Sequence, residues 1–175
     1  MAIPPIDLPP PPIDDRTYLA HRHWMKRAIE LAQAAGEAGE VPVGAIVVDG
    51  QNRLIATAQN RRERDRNPIA HAEILALQAA SQILQTWRLH NCTLYVTLEP
   101  CPMCAGAIVQ ARLGWLVYGT DDPKAGAIRT VLNLPDSRAS YHRLPVLGGI
   151  LESTCRQQLQ AWFARRRQAS DRSGH

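Results

Sequence analysis

Apolar and polar residues alternate along the chain in patterns that predict successive helices and strands. From Thr17 the apolar positions recur with helical spacing until Gly36, which predicts a first amphipathic helix with a glycine stop. The nearly continuous apolar run 41–48 is typical of a strand buried on both faces, and the Asp-Gly pair before residues 54–59 predicts a hairpin return. We therefore expect two antiparallel strands to open a sheet.

The middle of the chain predicts two helices and two further strands. Residues 70–84 are helix-forming, residues 93–98 have the pattern of a strand, and a short helix is expected from residues 100–102 to about Ala111. Residues 115–118 then predict a fourth strand. A strand, a helix and a strand in succession imply a parallel crossover connection.

The last third of the chain has weaker patterns. Residues 121–129 predict a loop or one short helix, residues 146–151 predict a fifth strand, and residues 153–167 predict a closing helix. Residues 130–145 carry little pattern. The predicted fold class is α/β, with a mixed five-stranded sheet and helices on both faces.

Length and composition indicate one folded domain with a proline-rich arm. The chain has 175 residues, which suits a single domain. Residues 1–15 hold six prolines and predict a disordered arm, residues 16–168 predict the folded domain, and residues 169–175 predict a flexible tail. No apolar run approaches the roughly 18 residues of a membrane span, and the N-terminal stretch lacks the pattern of a secretory signal. A cytoplasmic protein without a membrane partner is therefore expected.

The predicted domain is basic. The chain has 20 basic residues, 18 of them arginine, against 16 acidic ones, and three of the acidic residues lie in the arm. Without the arm the net charge is therefore +7. The planar arginine fork suits phosphate, so nucleic acid is a candidate partner. A solvated arginine-rich surface would have the same charge, and charge alone does not distinguish it from a binding surface.

Two short motifs carry candidate chemistry, His-Ala-Glu at residues 71–73 and Pro-Cys-Pro-Met-Cys at residues 100–104. Both stand at predicted helix N-termini, so they can meet at one end of the sheet. Two thiols three residues apart at a helix start, together with an imidazole, are ligand types that zinc prefers, and three ligands leave a fourth position open. The predicted zinc ligands are His71, Cys101 and Cys104.

Glu73 is the candidate proton shuttle beside these ligands. Residues two apart in mid-helix point in roughly opposite directions, so His71 and Glu73 converge only if the metal lies at the helix end. A carboxylate there can take a proton from an activated water and pass it to a substrate nitrogen and a leaving amine, which hydrolytic deamination requires. The spacing H-x-E and P-C-x-x-C is the known signature of zinc deaminases.

A structural zinc site and a redox motif are two other interpretations, and each accounts for less of the pattern of His71, Glu73, Cys101 and Cys104. A structural zinc site closes with four ligands, and no fourth cysteine or histidine stands at motif spacing. A redox Cys-x-x-Cys motif leaves both His71 and Glu73 without a role.

Beyond these motifs, residues 18–168 resemble the bacterial tRNA-specific adenosine deaminases, which convert the wobble adenosine of an anticodon to inosine. The resemblance is carried by residues 40–45, 60–62, 70–73, 94–107, 118–127 and 148–151, and by an arginine-rich final helix. It implies a three-layer α/β/α fold of the cytidine-deaminase type. The proline-rich arm is not part of the family pattern.

The resemblance also implies roles for particular residues. It implies one zinc ion per chain, held by His71, Cys101 and Cys104. It implies that Glu73 transfers protons and that the side-chain amide of Asn60 reads the base.

For partners, the resemblance implies a tRNA anticodon stem-loop, contacted by a loop around Asp122 and Lys124, and a homodimer with active sites near its interface.

Deaminases of free bases or nucleosides, such as guanine or cytosine, share the catalytic motif, and a non-catalytic RNA-binding subunit is a further hypothesis. The basic domain, with four arginines in residues 61–66, favours RNA. Glu73 argues against a binding-only role, which needs no carboxylate there. The predicted function is hydrolytic deamination of a wobble adenosine.

Overall fold

Five strands and five helices make up the described part of the chain. The structure is a computed structural model that describes residues 14–173, with side chains placed for residue 14 and residues 16–169. In chain order the elements are α1 (Asp15–Glu37), β1 (Gly44–Asp49), β2 (Leu54–Gln59), α2 (Arg62–Asp65), α3 (Ala72–Leu84), β3 (Cys92–Leu98), α4 (Pro102–Gln110), β4 (Trp115–Thr120), β5 (Val146–Leu147) and α5 (Glu152–Ser173).

The strands form one mixed sheet in the order β2-β1-β3-β4-β5. Strand β1 is antiparallel to both β2 and β3, as the hairpin pattern predicts. Strand β4 is parallel to β3 and to β5, so the predicted parallel crossover through α4 is confirmed. The mixed five-stranded sheet of the sequence prediction is therefore present.

Alternate residues of the central strands face two separate hydrophobic layers. On one face, Val47 of β1 and Leu94 of β3 pack with apolar residues of α3 and α4. On the other face, Ile46 and Tyr95 pack with residues of α1 and with Cys155 of α5. This period of two is that of a strand buried on both sides, and it gives the predicted three-layer α/β/α arrangement.

Both ends of the described chain differ from the sequence prediction. Asp14 and Asp15 do not belong to a disordered arm, because α1 begins at Asp15 and the Asp14 carboxylate caps it, accepting from the Thr17 amide at 2.7 Å. Helix α5 continues to Ser173, so the predicted flexible tail is helical as far as it is described. Most of residues 156–169 are glutamine, alanine or arginine, which are good helix formers. Residues 1–13 and 174–175 of the predicted arm and tail lie outside the described residues.

Three inner elements also differ in extent. Strand β1 starts at Gly44 rather than residue 41, since Pro42 has no N–H to donate to a ladder. Strand β5 has only two residues, because Gly148 lies against the Tyr118 ring and Gly149 turns the chain with φ +92°. The single turn of α2 is too short to show a helical period and was not predicted. Residues 121–129 form turns rather than a helix.

Among residues 14–173, no helix is both long enough and apolar enough to cross a membrane.

Candidate metal centre and substrate site

The elements that carry the predicted site residues end at the same edge of the sheet. Because β1 is antiparallel to both β2 and β3, the ends of β2 and β3 lie together beside the start of β1. The Arg61 amide donates to the Ala70 carbonyl at 3.1 Å, which holds the chain before α3 next to the end of β2. The chain after β3 leads directly into α4. The two helix starts therefore meet at this edge.

The three predicted metal ligands lie at these helix starts. His71 is the N-cap residue of α3 and Cys101 is the N-cap residue of α4. His71 Nδ1 lies 3.5 Å from Cys104 Sγ and 3.7 Å from Cys101 Sγ. All three ligand atoms lie within 4.8 Å of one another. The fold therefore brings together the side chains that the two motifs single out.

The spacing of these atoms fits a zinc ion. Tetrahedral zinc, with bonds of about 2.0–2.1 Å to nitrogen and about 2.3 Å to sulfur, holds a nitrogen and a sulfur about 3.6 Å apart. Both cysteines are free thiols. Within the described residues the group of potential ligands contains His71, Cys101 and Cys104 alone. Three donors of this kind are typical of an open, catalytic zinc site rather than a closed structural one.

The surroundings of the two thiols make them chemically different. Hydrogen bonds from Cys104 and with His71 lower the pKa of Cys101 to about 4, in spite of its partial burial. The pKa of Cys104 is raised, mainly by its hydrogen bond to Cys101 and by burial. The hydrogen bond with Cys101 also raises the pKa of His71. A thiolate at a helix N-terminus is a strong ligand for a soft or borderline metal.

Glu73 lies in the first turn of α3 with only 4% of its surface exposed. Burial raises its pKa to about 6, while His71, Cys101 and Cys104 all contribute smaller effects, so the carboxylate is close to the three ligands. His71 lies outside the helix with extended backbone angles. This cap position allows side chains two residues apart to converge, as a metal at the helix end requires.

Asn60 follows β2 and is 5% exposed. Its backbone amide donates to the Val43 carbonyl at 3.0 Å. Its side-chain amide makes no hydrogen bond to any other residue that the structure describes, so it does not close a turn of its own. It is next to Arg61, whose amide is bonded beside His71. A buried amide at this place is free to pair with a bound molecule.

Asp122 and Lys124 lie in the loop after β4, outside the group of metal ligands. The Asp122 carboxylate accepts from the amides of Lys124 and Ala125 at 2.9 and 3.2 Å, and Lys124 is exposed. The loop approaches the metal motif through Glu99, which accepts from the Asp122 amide at 3.0 Å. The structure therefore does not place these two side chains at the metal centre, but it links their loop to that centre.

Two buried carboxylates near the site were not assigned a role from the sequence. Glu40 accepts from the amides of Glu63 and Arg64 at 3.2 and 2.8 Å and thereby fixes the start of α2. Glu99 is 1% exposed and accepts from the loop after β4. The sequence signal that could have indicated a role for them is an acidic residue directly beside an apolar strand pattern. A charge buried there is unfavourable unless it has hydrogen-bond partners.

Two clusters of exposed basic residues lie on α2 and on α5. On α2 and just after it, Arg62, Arg64 and Arg66 are exposed. The hydrogen bond with Cys101 raises the pKa of His71, and the Arg62 charge opposes part of that rise, which places Arg62 near the metal centre. On α5, Arg166 packs over Trp162 and donates to the Gly39 carbonyl at 3.3 Å. Gly39 immediately precedes Glu40, which holds α2. The basic end of α5 therefore lies close to the basic turn of α2.

Comparison with known proteins gives consistent similarities. Residues 19–157 match the MafB19-like deaminase family. The tRNA-specific adenosine deaminase of Bacillus subtilis (strain 168) is 48% identical over 141 residues, which are 80% of this chain and 86% of that protein.

Two kinds of solved structure are similar to the chain. One comes from a study of A-to-I editing by tRNA:A34 deaminases at the wobble position of transfer RNA. It has a TM-score of 0.75 and 40% identity, and the match covers 78% of this chain and 98% of that one. The other, a guanine deaminase from Nitrosomonas europaea, has a TM-score of 0.69 and 28% identity, with coverage of 82% and 84%. The higher identity is with the proteins that act on tRNA.

Proposed function

The chain belongs to the family of tRNA-specific adenosine deaminases, and on that premise we propose how its residues hydrolyse the wobble adenosine of a tRNA anticodon to inosine. The observation that carries the proposal is the grouping of His71, Cys101 and Cys104 beside the buried carboxylate of Glu73. Ligands and a carboxylate in this arrangement serve hydrolysis, and a binding module has no use for them.

His71, Cys101 and Cys104 would hold one zinc ion per chain. When bound, zinc supplies Lewis-acid chemistry that makes a water molecule a nucleophile near neutral pH. Each ligand is fixed by a helix start, since two of them are N-cap residues and the third lies in the first turn of α4. Side chains held on rigid elements keep the geometry of a site better than side chains on loops.

Glu73 moves the protons of the reaction. Its carboxylate accepts a proton from the attacking water and delivers it to N1 of the adenine ring while the bond between C6 and oxygen forms. The carboxylate then takes the proton of the new C6 hydroxyl and passes it to the amino group on C6. The C6–N6 bond breaks as the C6 carbonyl forms, and ammonia leaves. One carboxylate can serve all these transfers because they occur within hydrogen-bond reach of one another.

Asn60 recognises the base. A side-chain amide offers both a donor and an acceptor, which suits the ring edge of a purine. Its burial supports this role, because a bond made in a dry site discriminates more strongly than one made in water. Asp122 and Lys124, in the loop after β4, contact the anticodon loop outside the reacting base.

The substrate and the assembly follow from the same proposal. The exposed arginines on α2 and α5 support binding of an anticodon stem-loop through its phosphates. The enzyme forms a homodimer, which the exposed Ile83 near the end of α3 and the exposed Trp87 just after that helix support. Light scattering of the purified protein measures the mass of the assembly and so tests the dimer. We place the enzyme in the cytoplasm.

A panel of substrates tests the proposal. The protein is incubated separately with an anticodon stem-loop that has adenosine at the wobble position, with free adenosine, with guanine and with cytosine, and released ammonia is measured. Ammonia from the stem-loop alone is the expected result. Ammonia from guanine with none from the stem-loop would favour the activity named for the structurally similar guanine deaminase instead.

A further inference from the structure

Glu99 is a buried carboxylate that neither the metal centre nor the proton transfer uses. It stands between the end of β3 and the metal motif, two residues before Cys101, and only 1% of its surface is exposed. A buried charge must be compensated by hydrogen bonds or by an opposite charge. The partners of Glu99 therefore show what it does.

Among the described residues, all the hydrogen-bond partners of the Glu99 carboxylate come from one segment, residues 122–130, after β4. Oε1 accepts from the amides of Ile128, Arg129 and Thr130 at 3.1, 2.8 and 3.0 Å. Oε2 accepts from the Asp122 amide at 3.0 Å and from the Thr130 hydroxyl. The carboxylate thus accepts five hydrogen bonds, which join the two ends of the segment at one point.

The backbone adds two links between the same parts of the chain. The Glu99 amide donates to the Thr120 carbonyl at 2.8 Å, and the Ala127 amide donates to the Pro100 carbonyl at 2.9 Å. Gly126 packs so closely that a Cβ atom there would overlap Glu99 Oε2. The segment is therefore fitted around this carboxylate, and Pro100 connects it to the ligand Cys101.

We propose that Glu99 is a positioning residue that holds segment 122–130 against the metal motif and so sets where Asp122 and Lys124 meet the RNA. This rests on the proposed function, because that function makes the segment part of the RNA-binding surface. The carboxylate does not touch the substrate. It acts through the segment, so its loss weakens binding of the stem-loop more than it slows the chemical step.

Glu99→Gln tests this with little change in shape. The glutamine side chain has one acceptor oxygen and one NH2 group, which only donates. This NH2 group faces either the backbone N–H of Asp122 or the N–H groups of residues 128–130, so a donor meets a donor and at least one hydrogen bond is lost. We expect the KM for the stem-loop to rise by about tenfold, kcat to change by less than about threefold, and the zinc content to stay the same. Hydrogen exchange should accelerate in residues 121–130 and stay unchanged in β1 and β3.

Asp49→Asn is the matched control. Asp49 also accepts from backbone amides, those of Gln51 and Arg53 at 3.0 and 2.9 Å. It pairs with Cys92 at the start of β3, so it lies at the opposite edge of the sheet from Glu99. The same change of carboxyl to amide is expected to affect local stability there without raising KM.

Gly126→Ala approaches the same contact from the other side and leaves Glu99 in place. The added methyl group displaces the segment, so the same rise in KM with nearly constant kcat is expected. If Glu99→Gln does not fold, this variant decides the question.

An unchanged KM with unchanged hydrogen exchange in the folded variants would overturn the proposal. Loss of zinc with a fall in kcat would also overturn it, since Glu99 would then serve the metal motif. An equal rise in KM for Asp49→Asn would reduce the effect to general stability. If the wild-type protein does not deaminate the stem-loop, the proposed function fails, whereas the exchange experiment still measures whether Glu99 anchors the segment.

Discussion

At the scale of single residues, Asn60 shows how burial turns a common side chain into a candidate for recognition. Asparagine at the end of a strand often bonds its own turn. Here the side-chain amide is buried and makes no hydrogen bond to a described residue, while the backbone amide alone ties Asn60 to Val43. Such a side-chain amide can pair with a molecule that binds from outside, as the proposed function requires.

Asn60→Ala should reduce kcat/KM on the stem-loop by roughly 10- to 100-fold, because an unmade bond in a dry pocket costs about 1–3 kcal/mol. Melting temperature and zinc content should stay nearly constant, since the side chain makes no hydrogen bond to a described residue. Asn60→Asp should be at least as harmful, because a carboxylate accepts but does not donate. Steady-state kinetics together with thermal melts measure these effects. A variant that melts much earlier but deaminates normally would show a structural role instead.

The metal ligands give a second prediction at this scale. The purified protein should contain about one zinc per chain, and Cys101→Ser or His71→Ala should lose it and lower the melting temperature, since metal binding contributes to folding. Cys92→Ser is the control, because Cys92 is a buried cysteine at the start of β3, away from the ligand group. Metal analysis of the three variants measures this. Full retention of zinc in both ligand variants would refute the assignment.

At the scale of elements, the contact between α1 and the sheet contains a titratable group. His21 of α1 is 3% exposed, its Nδ1 lies 2.9 Å from the Tyr95 hydroxyl, and its Nε2 is buried without a partner among the described residues. Burial lowers the pKa of His21 below its ordinary value of 6.5. The histidine is therefore neutral in the folded protein around neutral pH.

The unfolding free energy should consequently fall as the pH drops through about 6.5, because the unfolded chain then binds a proton that the folded protein does not. The contribution of His21 is fully present above that pH and is lost toward its lower folded pKa, with a slope of at most about 1.4 kcal/mol per pH unit. Urea titrations between about pH 8 and pH 5 measure this slope. His21→Gln retains a partner for Tyr95 and should flatten it, and an equal slope in both proteins would contradict the assignment to His21.

How far the elements could be predicted depended on their length and their neighbours. Strand β2 has the predicted bounds because the Asp-Gly pair before it marks the hairpin turn. The helix predicted over 70–84 is α3, which begins at Ala72, because its apolar positions recur with helical spacing. The one-turn α2 shows no period, and its start is fixed by Glu40, more than twenty residues away. Contacts at that distance in the chain leave no local pattern.

The candidate site divides in the same way. Ligand types and spacing single out His71, Cys101 and Cys104, and the structure brings them together. The role of Glu99 could not be predicted, because its partners in residues 122–130 come after another helix and another strand. The expectation that Asp122 and Lys124 contact the anticodon came from the resemblance alone. Only the fold shows that their loop is linked to the metal motif through Glu99.

At the scale of the whole molecule, charge should control binding to RNA. The chain has a formal net charge of +4, and exposed arginines cluster on α2 and at the end of α5. The logarithm of the association constant for the stem-loop should therefore fall linearly with the logarithm of the salt concentration. The slope should be about −0.7 for each phosphate contacted on a single strand. Filter binding or fluorescence anisotropy between roughly 50 and 200 mM salt measures this slope.

The triple variant Arg165→Glu, Arg166→Glu and Arg167→Glu should reduce the slope of affinity against salt concentration. Arg53→Glu, in the hairpin turn at the opposite edge of the sheet, should leave it nearly unchanged. A flat salt dependence in the wild-type protein would return the arginines to a solvated surface without a role in binding.

The position of the product tests the central claim most directly. A stem-loop with adenosine at the wobble position and at other loop positions is incubated with wild-type protein and with Glu73→Gln, and the digested RNA is examined by mass spectrometry. We expect inosine at the wobble position alone with the wild-type protein, and none with a Glu73→Gln variant that retains its zinc. Inosine at every loop adenosine, or equal conversion by the zinc-loaded variant, would contradict the claim.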